Sequence, residues 1–321
     1  MRNKKSLILK LATTATVAIP FVSMLTSCTT PEPEVQKDFC SDSWENIVYW
    51  ANQGSDALIK RYGVLETIIG RERILNVDGV DHIVRVIGMD SDYIADSEGK
   101  PTEKTATLTF QFEEIFSCKK WNQQFEKEII EPCPLVYYDE VPVTDVGYHV
   151  SNIREFQNND LLSKLPKTLQ EGIKTVSKDE LVSDKQVIED LETEVKLNKV
   201  PEKLFSLSFA EMLPSQYFGG SNLRSIYAKE GRLYDWYQFL HVVYGPYDLT
   251  DTNPLFSKWP ACGPIVTGPG AWFVRTIGFW PQFEEEQNRY LSTTCFFNSL
   301  GSPTTDYHVN DFDCILPCFC I

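Results

Sequence analysis

Glu72-Arg73-Ile74-Leu75-Asn76-Val77-Asp78-Gly79-Val80-Asp81-His82-Ile83-Val84-Arg85-Val86-Ile87 reads as two strands joined by a two-residue turn. Asp-Gly accepts the positive φ angles of a tight hairpin, so the turn belongs at Asp78-Gly79 and the flanking runs pair antiparallel. Thr105 to Phe112 alternates next and puts Ala106, Leu108, Phe110 and Phe112 on one side. Ahead of the hairpin, Trp44, Ile47, Val48 and Ala51 recur at helical spacing and form one apolar face. The first third is therefore predicted to be a small antiparallel sheet with a leading helix, the start of an α+β domain.

Beyond it, Pro166 sits where a first helical turn tolerates proline, and Leu169, Ile173 and Val176 follow at helical spacing. Val187, Ile188, Leu191 and Val195 make a similar face inside the charged stretch 178–203, which reads as an insertion lying over the surface. From Leu204 the pattern turns irregular. Tyr217 to Tyr247 is dense in aromatics and Gly263 to Gly270 in Gly and Pro, which predicts long ordered loops.

The N-terminus carries a different signal. A basic start is followed by an apolar stretch from Leu7 to Leu25, broken by threonines and Pro20, as in a secretory signal. Leu25-Thr26-Ser27-Cys28 resembles a bacterial lipobox, whose cysteine carries diacylglycerol after cleavage. The expected organisation is a lipoprotein signal peptide over 1–27, a flexible tether over 28–37 and one extracytoplasmic domain over 38–321. The lipid on Cys28 would hold the protein at the outer face of the cell membrane without a spanning helix. No later run approaches the roughly 18 apolar residues that cross a bilayer.

Arg2, Lys4, Lys5 and Lys10 are the only charges before Cys28, so the net charge of -15 becomes -19 for a chain beginning there. A surface this acidic, without a basic stripe, repels phosphate backbones and argues against nucleic acid as a partner. Eight cysteines remain after Cys28, namely Cys40, Cys118, Cys133, Cys262, Cys295, Cys314, Cys318 and Cys320. Export permits disulfides, but spacing alone does not give their connectivity. On a strand, Cys314, Cys318 and Cys320 share a face with Leu316, while Ile315, Phe319 and Ile321 take the other, which reads as buried thiols. His82, His149, His241 and His308 are scattered, with no carboxylate or serine at a telling interval, and read as structural. No metal-ligand spacing and no cofactor motif is present in the sequence.

Several stretches fall in a familiar order: Val80 to Asp90, Thr107-Leu108-Thr109-Phe110, Ser151-Asn152-Ile153-Arg154-Glu155-Phe156, and Leu165-Pro166 with Ile173, Val176 and Lys178. Lys203 to Ser208 with Glu211, Glu230-Gly231 with Tyr234, Ala271-Trp272-Phe273-Val274-Arg275-Thr276, and the terminal Ile315 to Ile321 continue it. Together they resemble the uncharacterised bacterial family known as domain of unknown function 6273 over almost everything after residue 40. The chain departs from that pattern at Tyr148, where a tryptophan usually precedes the Ser-x-x-Arg motif, and in the length of 178–203. The late pattern of the family looks like the C-type-lectin-like fold of formylglycine-generating enzymes. The resemblance thus implies a mixed α+β fold with antiparallel sheets, a few helices and long irregular loops, but no catalytic group.

Aromatics on ordered loops stack on sugars or anchor protein partners. The candidate ligand-binding residues are therefore Trp236, Tyr244, Tyr247 and Trp259, joined by Trp272 and Arg275 from the resemblance motif. The expectation is a lipid-anchored binding or adhesion module for a glycan or protein. The alternative is an enzyme on the formylglycine-generating fold using metal-assisted chemistry at Cys318 and Cys320.

Overall fold

The Asp78-Gly79 turn is present as read. In the computed structural model, strand β1 (Glu72–Val77) pairs antiparallel with β2 (Val80–Ala95), Val77 faces Val80, and Asp78 and Gly79 have φ of 51° and 85°. The structure describes residues 38–113, 148–183, 195–214, 226–244, 272–277, 282–284, 289–291, 293–297, 303–308 and 314–321. Contacts group Gln36 to Ile321 as one unit. The signal peptide with Cys28, the tether, Val187, Ile188, Leu191, Tyr217, Tyr247, Trp259, Cys118, Cys133 and Cys262 lie outside the described residues.

The remaining strands are β3 (Pro101–Phe112), β4 (Val176–Ser183), β5 (Val195–Glu202), β6 (Leu204–Ser206), β7 (Trp272–Ile277), β8 (Gln282–Glu284), β9 (Arg289–Leu291), β10 (Thr293–Phe297), β11 (Pro303–His308), β12 (Cys314–Ile315) and β13 (Pro317–Cys320). A main sheet has the order β5-β4-β2-β3-β13-β6, with β1 also pairing β2, and every pairing in it is antiparallel. A second sheet runs β11-β10-β7-β12, and β8 pairs with β9. The helices are α1 (Trp44–Asn52), α2 (Ser55–Tyr62), α3 (Leu65–Ile68), α4 (Asn152–Glu155), a π-turn at Phe156–Leu161, α5 (Leu162–Lys164), α6 (Lys167–Gly172), α7 (Phe209–Met212) and α8 (Asp235–Tyr244). The class is mixed α+β. Among the described residues no helix is long and apolar enough to cross a membrane.

Helix α1 forms where the spacing predicts it. Ser43 caps it by accepting the Asn46 N–H, Ile47 and Ala51 are buried, and Trp44 and Val48 pack beside them. The helix after Pro166 is shorter than its periodicity suggests. Ile173 leaves it with ψ 126°, the Lys174 N–H donates to the Cys320 carbonyl at 2.8 Å, and Val176 opens β4 instead. The sheet takes over the backbone that the helical spacing had claimed.

Around β13 the main sheet is buried on both faces, and β13 sorts its side chains between them. Cys318 and Cys320 join Leu316, Phe205, Tyr234 and Tyr237 in one apolar cluster. Phe319 and Ile321 join Ile47, Phe110 and Phe112 in the other, where the Phe110 and Phe319 rings stack at 5.2 Å. The predicted single face of β3 holds for Leu108, Phe110 and Phe112 only. Ala106 belongs to the opposite cluster; it lies beside the place where the register of β2 on β3 shifts between Met89 and Asp92 and Asp90 takes φ 50°.

The charged stretch 178–203 is not the surface insertion that its composition suggests. Its ends are β4 and β5, which pair throughout, and β4 joins β2 through Ile94 and Val176. Lys178, Glu180 and Glu202 are 4%, 1% and 1% exposed, while Lys196 to Lys199 face solvent. Val195 begins a strand and continues no helical face.

Candidate functional site

Pairing of Ile94 with Val176 carries the antiparallel register on to Asp92 and Lys178, which meet across β2 and β4 inside the protein. Lys178 Nζ lies 2.7 Å from Asp92 Oδ1 and 2.5 Å from Glu211 Oε1, donates to Tyr234 Oη at 2.9 Å, and sits 4.3 Å over the Phe205 ring. Asp92 also accepts from Thr109 Oγ1 at 2.5 Å, from Tyr234 Oη at 2.9 Å and from Cys320 Sγ at 3.3 Å.

Glu211 owes its place to α7. Ser208 caps that helix and accepts the Glu211 N–H, while Glu211 Oε2 accepts the Ser208 N–H, a reciprocal capping box that fixes the carboxylate. The same oxygen accepts Arg275 Nη1 from β7. Arg275 spends its other donors on the carbonyls of Asp179, Ser206 and Glu230. Glu230 in turn accepts the Leu181 N–H and the Thr276 hydroxyl.

Charge balance makes this cluster tolerable in the interior. Burial is the largest single influence on Asp92 and would raise it, but the Lys178 ammonium with the hydrogen bonds from Thr109 and Tyr234 holds the carboxyl below its ordinary value. Burial also works against the Lys178 charge, and Asp92 and Glu211 overcome it, leaving Lys178 raised. Arg275 is raised by Glu211 against its own desolvation. Glu230 is pushed up to about 8 by burial, so it holds a proton at neutral pH. Two cations thus face two carboxylates. Burial, followed by the Glu211 carboxylate for Cys318 and the Asp92 carboxylate for Cys320, raises both thiols well above their ordinary range, so they are not thiolate nucleophiles.

A cleft of about 310 Å³ opens onto this cluster. Asp92, Lys178, Glu211 and Tyr234 form its floor, and Asp90, Tyr93 and Arg232 stand exposed at its rim. Tyr93 keeps 53% of its surface in solvent. Gly231 has φ 136°, and a Cβ there would come within 2.8 Å of the Glu211 side chain, so only glycine lets the rim approach the floor.

The candidate residues read from the sequence do not converge on one place. Trp236 is half-buried on α8, stacked on Phe239 at 5.6 Å, with the Arg85 guanidinium 4.5 Å over its ring and Gly70 against its edge. Tyr244 closes α8 and Trp272 opens β7. Arg275 is 2% exposed and faces the interior, where it neutralises Glu211. His149 pairs with Glu180 at 3.0 Å. Among the described residues no group of three or more His, Cys, Asp or Glu side chains is arranged to hold a metal ion.

Composition hid Asp92 and Lys178. The ordered motifs held the better signal, since Lys178, Glu211, Glu230, Tyr234, Arg275 and Thr276 all come from them and all meet in this cluster. Comparison of the chain with protein-family models, curated proteins and solved structures gives no match.

Proposed function

We propose that the chain is a lipid-anchored bacterial surface protein, acylated at Cys28, whose extracytoplasmic domain is a non-catalytic module that binds a glycan in the cleft beneath Tyr93. The observation that carries this reading is a polar cleft whose floor is held by ion pairs and whose lining includes the exposed residue Tyr93. Sugar recognition needs that combination: an aromatic face for the apolar side of the ring, and fixed hydrogen-bonding groups for its hydroxyls. Asp90 and Arg232 supply an exposed acceptor and an exposed donor at the rim.

The proposed fold is the C-type-lectin-like one, within the family of unknown function that the motifs resemble. Support comes from the motif positions themselves, since the leucine-serine-glutamate segment and the Trp-x-x-Arg strand are bound to each other through Glu211 and Arg275. The enzymatic alternative required accessible, reactive thiols at Cys318 and Cys320, and both are fully buried with raised pKa values. The membrane is reached through the N-terminal lipid, and nucleic acid is disfavoured by charge. A glycan array probed with the purified protein, followed by the same array with Tyr93→Ala, tests the binding reading.

A further inference from the structure

We propose that Asp92 and Lys178 become joined by an intramolecular amide bond, formed in the folded chain with Glu211 as proton carrier. The two side chains face each other across neighbouring antiparallel strands, 86 residues apart in sequence. Each is only 5% exposed, and Nζ stands 2.7 Å from Oδ1, an atom bonded to the carbon it would attack. Reacting atoms held about 3–3.5 Å apart in a fixed orientation gain several kcal/mol over a bimolecular encounter. Glu211 Oε1 lies on Nζ at 2.5 Å, the Phe205 ring closes another side, and the cleft gives a departing water a way out.

The chemistry balances without an oxidant, a reductant or a cofactor. Proton transfer from the ammonium to the Asp92 carboxylate gives the neutral amine and carboxylic acid that can react; burial pulls towards this pair, while the facing charges keep the resting state ionised. The Nζ lone pair forms a bond to Cγ. Glu211 takes a proton from the nitrogen and passes it to the leaving oxygen, the Cγ–O bond breaks, and one water is released. Tyr234 Oη, 2.9 Å from both Asp92 oxygens, and Thr109 Oγ1 are placed to hold the negative charge that builds on the carbonyl oxygen during attack. The product consumes one cation and one anion together, so Glu211 and Arg275 remain a balanced pair. A link of this kind restricts the unfolded chain as a disulfide does, and reducing conditions do not open it.

Mass spectrometry of the full chain, purified, denatured and reduced, tests the proposal by peptide mapping alongside intact mass. The expected result is a mass lower by one water and a branched peptide joining the segment of Asp92 to that of Lys178. Lys178→Met is expected to remove the branch. Asp92→Asn is expected to keep it while losing ammonia in place of water. Separate Asp92 and Lys178 peptides from the natural chain overturn the proposal, whether or not a water is missing, because an aspartate can also lose water by closing on its own backbone. The natural chain decides the matter even if the variants do not fold.

Discussion

Glu211 and Arg275, 64 residues apart in sequence, meet as an ion pair whose side chains are 3% and 1% exposed. Glu211 is locked by the capping box of α7, and the Arg275 N–H donates to the Leu207 carbonyl at 3.0 Å, so the pair fastens the second sheet to the main one. Glu211 also meets Lys178, and with Asp92 on Lys178 it is Arg275 that completes the balance of two cations against two carboxylates.

Removing one partner should therefore cost far more than removing both. Glu211→Gln or Arg275→Met is expected to destabilise the domain by about 3–5 kcal/mol in denaturant unfolding. The double variant is expected to recover part of that loss, since it leaves no unpaired buried charge. Additive losses in the double variant would mean that the two groups do not depend on each other.

Two buried glutamates set the direction of the pH response. Burial raises Glu230 to about 8 and Glu202 to about 7, the latter against the pull of Arg154, from the ordinary carboxyl value of 4.5. Because the folded state holds these protons more tightly than the unfolded chain, stability from both groups is full below about 4.5 and declines as pH rises to about 8. In chains whose Asp92 and Lys178 are not joined, the Asp92 carboxyl, held low in the fold, has the opposite sign and loses its contribution only in stronger acid. Thermal unfolding across this range should show a falling midpoint, and Glu230→Gln should flatten the fall. A midpoint that rises from pH 5 to 8 would contradict the assignment.

The hairpin and α1 were legible because their signals are local: two positive-φ residues at Asp78-Gly79, and a capped apolar face from Trp44 to Ala51. The sorting of Cys318 and Cys320 from Phe319 and Ile321 was legible for the same reason, since strand period alone decides it. What failed depended on distant partners. Lys178 looks solvated among its sequence neighbours and becomes an interior residue only through Asp92 and Glu211, and Ile173 leaves its helix because Cys320 claims the next N–H. Arg275 stands out in the sequence by its motif, and in the fold that motif serves Glu211.

The terminal strand sits between the two apolar clusters. Phe319→Ala removes a ring that is 0% exposed and stacked on Phe110, which is expected to cost about 3–5 kcal/mol. Deleting residues 315–321 is expected to prevent cooperative folding altogether. A shortened chain that unfolds in one transition at the natural temperature would show that β13 contributes nothing to the core.

Lipid attachment is expected at Cys28. Mass spectrometry of the mature N-terminus from a bacterial host should find acylation there, and Cys28→Ala should release the protein from the membrane fraction. Cleavage elsewhere, or an intact Met1, would contradict the assignment.

Titration of the natural domain, Tyr93→Ala and Arg232→Ala with a glycan identified on an array tests the binding cleft most directly. Each variant is expected to weaken binding about tenfold or more, equivalent to about 1.4 kcal/mol, with unchanged unfolding, because both side chains stand exposed at the rim. Binding equal to that of the natural domain in both variants, or a natural domain that takes no glycan, would contradict the account.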